Sequence, residues 1–314
     1  MPLQKINGQW IHYEDTGEGA LPVVLAHGLL MDGEMFAPQL PLQSPACRII
    51  TWDARGHGET ENTDDPFTYW DLADDLTGLL DHLGIQKAVI GGMSQGGFVA
   101  LRFALQHPER VSALILLGTQ AGSEDPDKVA SYRAMLDVWE TDGLNDQLAE
   151  TIAAIILGND WSGRQSWITK WRQKPRSLLR QSFDALVGRD DIHDRLGEIK
   201  APALVIHGTA DAAIDVEEAE RLCSELANCQ KMVAIEGGGH ASNLTHPEQV
   251  NKAVQEFLRG LAAGAYRGTE RRGEEARRSN VERRFSERRN PIRATAGRRV
   301  FNPADRRMAE RRGL

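Results

Sequence analysis

The chain has 314 residues, of which 41% are hydrophobic, and its formal net charge at pH 7 is −8. This length and apolar content are sufficient for one large core with an inserted subdomain. No apolar run reaches the roughly 18 residues that a membrane-spanning helix needs, so the sequence predicts no membrane span.

The N-terminal residues and the cysteines predict a cytoplasmic protein. Residues 1–5 contain no charged segment followed by an apolar stretch, so we expect no secretory signal. Cys47, Cys223 and Cys229 are odd in number and lack C-x-x-C spacing. We therefore expect reduced thiols, with neither a disulfide framework nor a zinc site.

Short apolar runs alternate with amphipathic stretches along the chain. Asn7 and Gly8 separate the first two runs and predict a hairpin turn. The later alternation of strands and helices is typical of a mainly parallel sheet with helices on both faces. The predicted strands are 3–6, 10–15, 23–26, 48–52, 88–91, 113–117, 203–207 and 231–235, and the predicted helices are 69–83, 95–106, 216–226 and 247–260.

A glycine-rich turn around Ser94 follows the fifth predicted strand and precedes a predicted helix. Gly92 and Gly96 flank the serine in a G-x-S-x-G pattern. In such a turn only residues without a Cβ fit two positions either side of the serine, and the hydroxyl is held at the end of the sheet. We interpret Ser94 as a catalytic nucleophile. Because a serine hydroxyl is inert at neutral pH, this interpretation requires a base, an acid that orients the base, and an oxyanion site.

More than 80 residues with little strand pattern separate the sixth and seventh predicted strands, and four of the seven tryptophans lie there. A structureless loop of this length is uncommon, so we expect a helical insertion over residues 119–197. Each tryptophan taken singly is explained by packing of the insertion onto the core. Together they predict an apolar and fairly small substrate pocket.

Two candidate partners for Ser94 come just after later predicted strands. Asp211 follows the seventh strand, and His240 lies in a glycine-rich loop after the eighth. Open α/β sheets place their chemistry beyond the C-terminal ends of the strands, and the order Ser, acid, His is the one expected. His240 would take the Ser94 proton, and Asp211 would fix the imidazole tautomer. Asp215 and His246 remain the alternative acid and base.

These motifs resemble those of the α/β-hydrolase family over residues 3–261. The match includes H-G-x at 27–29, D-x-R-G-x-G at 53–58 and H-P-E-R-V at 107–111. The resemblance implies an eight-stranded sheet, an insertion that covers the active site, and an oxyanion hole built from the backbone N–H groups of Leu29 and Gln95. Small esterases, enol-lactonases and cofactor-free haloperoxidases are the members that the chain resembles most. Many of these have Met at the position of Gln95.

The charge of the chain is strongly segregated. Residues 265–314 contain 16 arginines, no lysine and 7 acidic residues, a net of +9, which leaves 21 basic and 38 acidic residues, a net of −17, in residues 1–264. Few apolar residues and no helical or strand period predict disorder at 264–314. A solvated extension is favoured over an arm that binds nucleic acid or acidic lipid, because no aromatic platform is interleaved. We thus expect a core at 1–118 and 198–263, a helical cap at 119–197, and a disordered basic tail at 264–314.

The sequence as a whole predicts a serine hydrolase, of carboxylesterase or lactonase type, that cleaves a small ester or lactone through an acyl-enzyme on Ser94. No phosphate loop, nicotinamide fingerprint or metal-ligand cluster is visible, so we expect no cofactor or metal. Two alternatives stay open. One is a carbon–carbon bond hydrolase with the same triad, and the other is a signalling receptor that binds and slowly cleaves a small ligand. For the first, the residues available to bind a substrate carboxylate are Arg164, Lys170, Arg172 and Arg176.

Overall fold

The computed structural model describes residues 2–44, 46–60, 65–174 and 179–266. In these ranges eight strands form a single sheet. The strands are β1 (Leu3–Ile6), β2 (Gln9–Asp15), β3 (Leu21–Ala26), β4 (Cys47–Trp52), β5 (Ala88–Met93), β6 (Val111–Leu117), β7 (Ala203–Gly208) and β8 (Cys229–Ile235). Their spatial order is β1-β2-β4-β3-β5-β6-β7-β8.

The sheet is antiparallel at one edge and parallel elsewhere. Asn7 and Gly8 join β1 to β2 with φ values of +49° and +87°, the combination that a type I′ hairpin turn requires. Strand β2 also pairs antiparallel with β4, and every later pair is parallel. The prediction of a mainly parallel eight-stranded sheet after an opening hairpin is confirmed.

Helices cover both faces of this sheet. Those described are α1 (Tyr69–His82), α2 (Gln95–Gln106), α3 (Pro126–Asp142), α4 (Asp146–Leu157), α5 (Arg164–Gln173), α6 (Arg180–Val187), α7 (Val216–Glu225), α8 (Ser242–Thr245) and α9 (Pro247–Ala262). Side chains of β3 alternate between two apolar cores: Val24 and Ala26 belong to the core that contains α1 and α2, whereas Val23 and Leu25 belong to the core that contains α9. The period of two along a strand thus produces a core on each face.

Four helices, α3 to α6, lie between β6 and β7, where the sequence predicts a helical insertion. Two of these helices have polar N-cap residues. The side chains of Asp125 and Asn145 accept hydrogen bonds from backbone N–H groups in the first turns of α3 and α4, respectively. Trp139, Trp167 and Trp171 are buried in the same apolar core as α9. These tryptophans therefore pack the insertion onto the sheet.

The prediction of three reduced thiols is wrong for two of the cysteines. Cys223 and Cys229 form a disulfide, with their Cα atoms 5.3 Å apart. Helix α7 ends at Glu225 and β8 begins at Cys229, so the short turn between them brings the two sulfurs together without a C-x-x-C motif. Cys47 is a buried free cysteine.

Two further sequence predictions concern a membrane span and the C-terminal tail. No helix in the described ranges is long and apolar enough to cross a membrane. Beyond α9, Tyr266 stacks on Phe257 with ring centroids 5.2 Å apart. From residue 267 onward the predicted basic tail lies outside the described residues.

Candidate active site

Ser94 occupies a tight turn between β5 and α2. Its φ of +52° lies in the left-handed region, which costs on the order of 1–3 kcal/mol for a residue other than glycine. A Cβ on Gly92 would lie 2.2 Å from the carbonyl carbon of Gly96, and a Cβ on Gly96 would lie 1.9 Å from the carbonyl oxygen of Ala26. The backbone of this turn therefore requires both of the glycines that flank the serine.

Hydrogen bonds from the neighbouring strand hold this turn. The Ser94 N–H donates to the carbonyl of Leu117, the last residue of β6, at 2.8 Å. The buried hydroxyl of Thr119 donates to the Ser94 carbonyl at 2.9 Å. The strained turn is thus fixed by β6 and by the segment that follows it, and Ser94 lines a cavity.

Asp211 and His240 meet beyond the C-terminal ends of β7 and β8. His240 Nδ1 lies 2.8 Å from Asp211 Oδ2. A carboxylate only accepts hydrogen bonds, so Nδ1 carries the hydrogen and the neutral ring keeps its Nε2 lone pair. The structure therefore brings two of the predicted residues into contact, and His240 lines the same cavity as Ser94.

The Asp211 carboxylate is held from several sides. The backbone N–H groups of Ala213 and Ile214 donate to Oδ1 at 2.8 and 3.0 Å. Burial opposes the ionisation of Asp211, but His240 and His207 together hold the pKa of this carboxyl well below its ordinary value. The acid is therefore ionised at neutral pH and fixed in orientation.

His207 belongs to this site, although sequence reasoning did not assign it there. Its Nε2 lies 3.2 Å from Asp211 Oδ2 and 2.9 Å from the Ile214 carbonyl. Both partners are acceptors, so Nε2 carries a hydrogen. Burial opposes protonation of His207, yet these acceptors raise its pKa above the ordinary value. The four-residue spacing of His207 and Asp211, at the end of one strand, is the sequence signal for this contact.

The alternative acid and base lie elsewhere. Asp215 is the residue before α7, and His246 is the residue before α9. His246 Nδ1 contacts the Thr245 hydroxyl at 2.9 Å. Among the described residues, neither Asp215 nor His246 lines the cavity that Ser94 and His240 share.

The segment after β3 brings Leu29 to the wall of this cavity. His27 shapes the segment: its Nε2 accepts a hydrogen bond from the Ala54 N–H at 2.9 Å, so its Nδ1 donates to the Gly28 carbonyl at 2.8 Å. Burial lowers the pKa of His27, in agreement with this neutral tautomer. A Cβ on Gly28 would lie 2.7 Å from the Met93 sulfur. Glycine at this position therefore allows the segment to approach the end of β5.

Gln95 follows Ser94 and is the first residue of α2. Backbone N–H groups at a helix start have no intrahelical partner, which is the property an oxyanion donor needs. The Gln95 side chain is 1% exposed, and its Oε1 accepts a hydrogen bond from the Tyr69 hydroxyl at 3.4 Å. Gln95 is not among the described residues that line the cavity. The polar side chain at this position is therefore buried beside Tyr69, and its Nε2 has no hydrogen-bond partner among the described residues.

The helical insertion contributes almost half of the described residues that line the cavity, whose volume is about 80 Å³. The side chains from α3 and α4 are mainly apolar, in agreement with the pocket that the tryptophan-rich insertion predicts. They are Tyr132, Met135, Ile152, Ile155 and Ile156. The backbone also links the insertion to the base, because the N–H of Ala241, next to His240, donates to the Ile156 carbonyl at 2.9 Å.

One buried ion pair, between Glu124 and Arg189, also lines the cavity. Arg189 Nη1 lies 2.8 Å from Glu124 Oε2, and the two side chains are 1% and 7% exposed, respectively. Arg189 further donates to the carbonyls of Gly122 and Leu186. The arginine thus ties together the two chain segments through which the insertion leaves and rejoins the core.

The described basic residues that the sequence analysis considers for binding a substrate carboxylate are not found in the cavity wall. Arg164 pairs with Glu150, Lys170 with Asp32 and Glu34, and Arg172 with Asp146. None of these three lines the cavity, and Arg176 lies outside the described residues. Within the described ranges, no group of three or more His, Cys, Asp or Glu side chains is placed to hold a metal ion.

Two protein-family models match parts of this chain. Residues 22–151 match a model described as the alpha/beta hydrolase fold, and residues 183–266 match one described as a TAP-like protein. A 2-hydroxy-6-oxononadienedioate/2-hydroxy-6-oxononatrienedioate hydrolase from Burkholderia vietnamiensis is 30% identical, over 79% of this chain and 91% of the relative.

Two solved structures of similar fold are an esterase and a lactonase. A thermophilic esterase from Thermogutta terrifontis is 30% identical with a TM-score of 0.75, and the match covers 82% of this chain and 97% of the esterase. An enol-lactonase from Burkholderia xenovorans is 28% identical, also with a TM-score of 0.75, over 82% of this chain and 99% of the lactonase.

Proposed function

The chain belongs to the α/β-hydrolase family, and we propose that it is a serine hydrolase that cleaves a small carboxylic ester or lactone through an acyl-enzyme on Ser94. The observation that carries the proposal is the 2.8 Å contact between Asp211 and His240 at the cavity that Ser94 lines. A hydroxyl, an imidazole and a buried carboxylate are the groups that covalent acyl transfer needs.

In the proposed mechanism, His240 Nε2 takes the hydroxyl proton as Ser94 Oγ attacks the substrate carbonyl carbon. The negative charge that develops on the carbonyl oxygen is stabilised by the backbone N–H groups of Leu29 and Gln95. The imidazolium, stabilised by Asp211, then protonates the leaving alkoxide. Water attacks the acyl-enzyme with the same base, and the carboxylic acid leaves while Ser94 recovers its proton.

The small volume and the lining of the cavity favour a small and largely apolar substrate. Its wall consists mainly of aliphatic and aromatic side chains, five of them from α3 and α4, and the Glu124–Arg189 pair contributes opposite charges. The two solved structures of similar fold are named as an esterase and an enol-lactonase. Short-chain esters and lactones are therefore the first substrates to test.

A second candidate, hydrolysis of a carbon–carbon bond in a diketone, is favoured by one observation. Arg189 is a cation in the cavity wall, and the dienedioate substrate of the Burkholderia vietnamiensis relative carries carboxylates. In this chain, however, Arg189 is already paired with Glu124. We therefore rank ester or lactone hydrolysis first.

The proposed function is tested with Ser94→Ala and a panel of p-nitrophenyl esters, lactones and vinylogous diketones. We expect the wild-type protein to turn over an ester or lactone above about 1 per second, within the usual range of enzymes. Ser94→Ala should abolish turnover while the circular dichroism spectrum and melting temperature stay close to wild type. Mass spectrometry should locate a fluorophosphonate adduct on Ser94. Wild-type-like turnover by a folded Ser94→Ala protein would show that the nucleophile is another group.

A further inference from the structure

Helix α5 of the insertion binds the segment that contains Leu29. The indole N–H of Trp171, which is fully buried, donates to the Leu30 carbonyl at 2.8 Å. The preceding residue, Lys170, places its Nζ 2.7 Å from Asp32 Oδ2 and 2.8 Å from Glu34 Oε2. Two consecutive residues of one helix thus hold both ends of the short segment 30–34.

This segment begins with a strained turn. The Met31 N–H donates to the Gly28 carbonyl at 3.1 Å, so Leu29 and Leu30 are the two central residues of a β-turn. Leu30 has a φ of +65°. Glycine or asparagine normally occupies this position of a type II turn, because in the left-handed region the Cβ of other residues lies too close to the following carbonyl oxygen. Such a conformation persists only where the surroundings hold it.

Trp171 supplies a contact of the kind that holds such a conformation. Leu30 is 3% exposed, so its carbonyl is shielded from solvent, and losing the indole partner would leave a buried acceptor to be satisfied in another way. The simplest way is rotation of the turn, which would move the adjacent Leu29 amide. Lys170 supports the same arrangement through Asp32, whose carboxylate also accepts a hydrogen bond from the Glu34 N–H at 3.1 Å.

We infer that Trp171, supported by Lys170, is a positioning residue that keeps the Leu29 N–H in place as an oxyanion donor. The inference rests on the proposed function. Oxyanion donors act on charge that develops in the transition state, so a displaced donor lowers kcat and leaves KM nearly unchanged. A purely structural role of Trp171 in the insertion would instead alter the cavity wall, and with it KM, or the melting temperature.

The test compares Trp171→Phe with Trp139→Phe. Both variants keep an aromatic ring at a buried position of the insertion, and neither tryptophan is among the described residues that line the cavity. Removal of one oxyanion donor costs about 10²–10³ in kcat, and displacement costs part of that. We expect Trp171→Phe to lower kcat by about 10-fold or more with KM within about two-fold of wild type. Trp139→Phe should change kcat by less than about two-fold.

Two further measurements test the positioning role of Trp171. Lys170→Met leaves the buried indole in place, and it should lower kcat several-fold without raising KM, even if Trp171→Phe does not fold. The rate at which a p-nitrophenyl phosphonate modifies Ser94 should fall in parallel with kcat, because the same donors stabilise the phosphonate oxygen. Unchanged kcat in folded Trp171→Phe and in Lys170→Met, or an equal loss in Trp139→Phe, would overturn the inference alone. A wild-type protein that hydrolyses none of the esters and lactones would overturn the proposed function and the inference with it.

Discussion

Asp211 is the residue on which the contacts of the candidate site converge. One oxygen accepts two backbone N–H groups, and the other lies within 3.2 Å of two imidazoles, those of His240 and His207. Four donors on one buried carboxylate favour its ionised form strongly. They also fix the plane of the carboxylate, so the His240 ring is held in one orientation. Asp215, four residues later, precedes α7 and accepts the Glu218 N–H through its backbone carbonyl.

We predict that Asp211→Asn lowers kcat/KM by roughly 10³–10⁴, because an amide next to Nδ1 stabilises the wrong imidazole tautomer. The matched control is Asp215→Asn, the same change in the same loop, for which we expect an effect below about two-fold. Ester hydrolysis by the two purified variants is the measurement. A larger loss in Asp215→Asn would mean that the acid has been assigned to the wrong carboxylate.

The residues of this site differ in how far the sequence predicts them. Ser94, Asp211 and His240 are predicted from the sequence because each stands in a local pattern, a glycine turn or a loop after an apolar strand. Trp171 could not be paired with Leu30, since 141 residues separate them and no local pattern connects them. The same holds for the disulfide, because a turn between α7 and β8 rather than a motif brings its cysteines together.

Strands and helices also differ in how far local sequence patterns predict them. The sequence predicts the strands of the central sheet nearly at their observed bounds, because continuous apolar runs and an Asn-Gly turn are local signals. The helices of the insertion were predicted only as a group. In α3, Leu136 and Trp139 are the only two buried residues, so the helix lacks the continuous apolar stripe by which a helix is located in a sequence.

Strand β2 is tied to the turn after β4 by a buried ion pair. His12 Nδ1 lies 2.8 Å from Asp53 Oδ2. Asp53 also accepts hydrogen bonds from the N–H groups of Gly33 and Glu59 at 2.7 and 2.9 Å. Burial opposes ionisation of Asp53, but His12 and these donors lower the pKa of its carboxyl to about 2. The hydrogen bond to Asp53 raises the pKa of His12 despite burial of the ring.

These shifts predict a pH dependence of stability. Asp53 contributes stability above its unfolded pKa of about 4, and this contribution is lost as the pH falls towards about 2. His12 contributes stability below its unfolded pKa of about 6.5, and this is lost as the pH rises through its higher folded value. The pair is therefore most stabilising between about pH 4 and pH 6.5.

We expect Asp53→Asn to lower the free energy of unfolding by about 2 kcal/mol at about pH 5, and by clearly less at about pH 2.5. Urea unfolding at the two pH values measures the difference. Asp127→Asn, a change at an exposed carboxylate, is the control and should alter stability little at either pH. An Asp53→Asn deficit that is the same at both pH values would exclude this ion pair as its source.

On the scale of the whole molecule, the proposed catalytic residues and the excess of positive charge lie in different parts of the chain. The proposed catalytic residues and oxyanion donors lie between Leu29 and His240, and α9 ends at Ala262. The 16 arginines of residues 265–314 all follow Tyr266, whereas residues 1–264 carry a net charge of −17. A function of the basic segment would therefore be expected in binding to anions rather than in the hydrolytic step.

Our last prediction concerns a chain truncated after Tyr266, which keeps the contact of this residue with Phe257. We expect kcat and KM on a small neutral ester, and the melting temperature, to stay within error of the full-length protein. The removed segment contributes none of the proposed site residues, and its charges act through a screening length of about 8–10 Å at physiological salt. Any retention of the full-length protein on heparin or on phosphatidylserine vesicles should weaken with salt and disappear on truncation. The decisive experiment measures ester kinetics and thermal melts of both chains at about 0.05 M and about 0.5 M salt. A melting temperature lower by several degrees, or a several-fold lower kcat at the higher salt, would show that the arginine-rich segment stabilises the hydrolase itself.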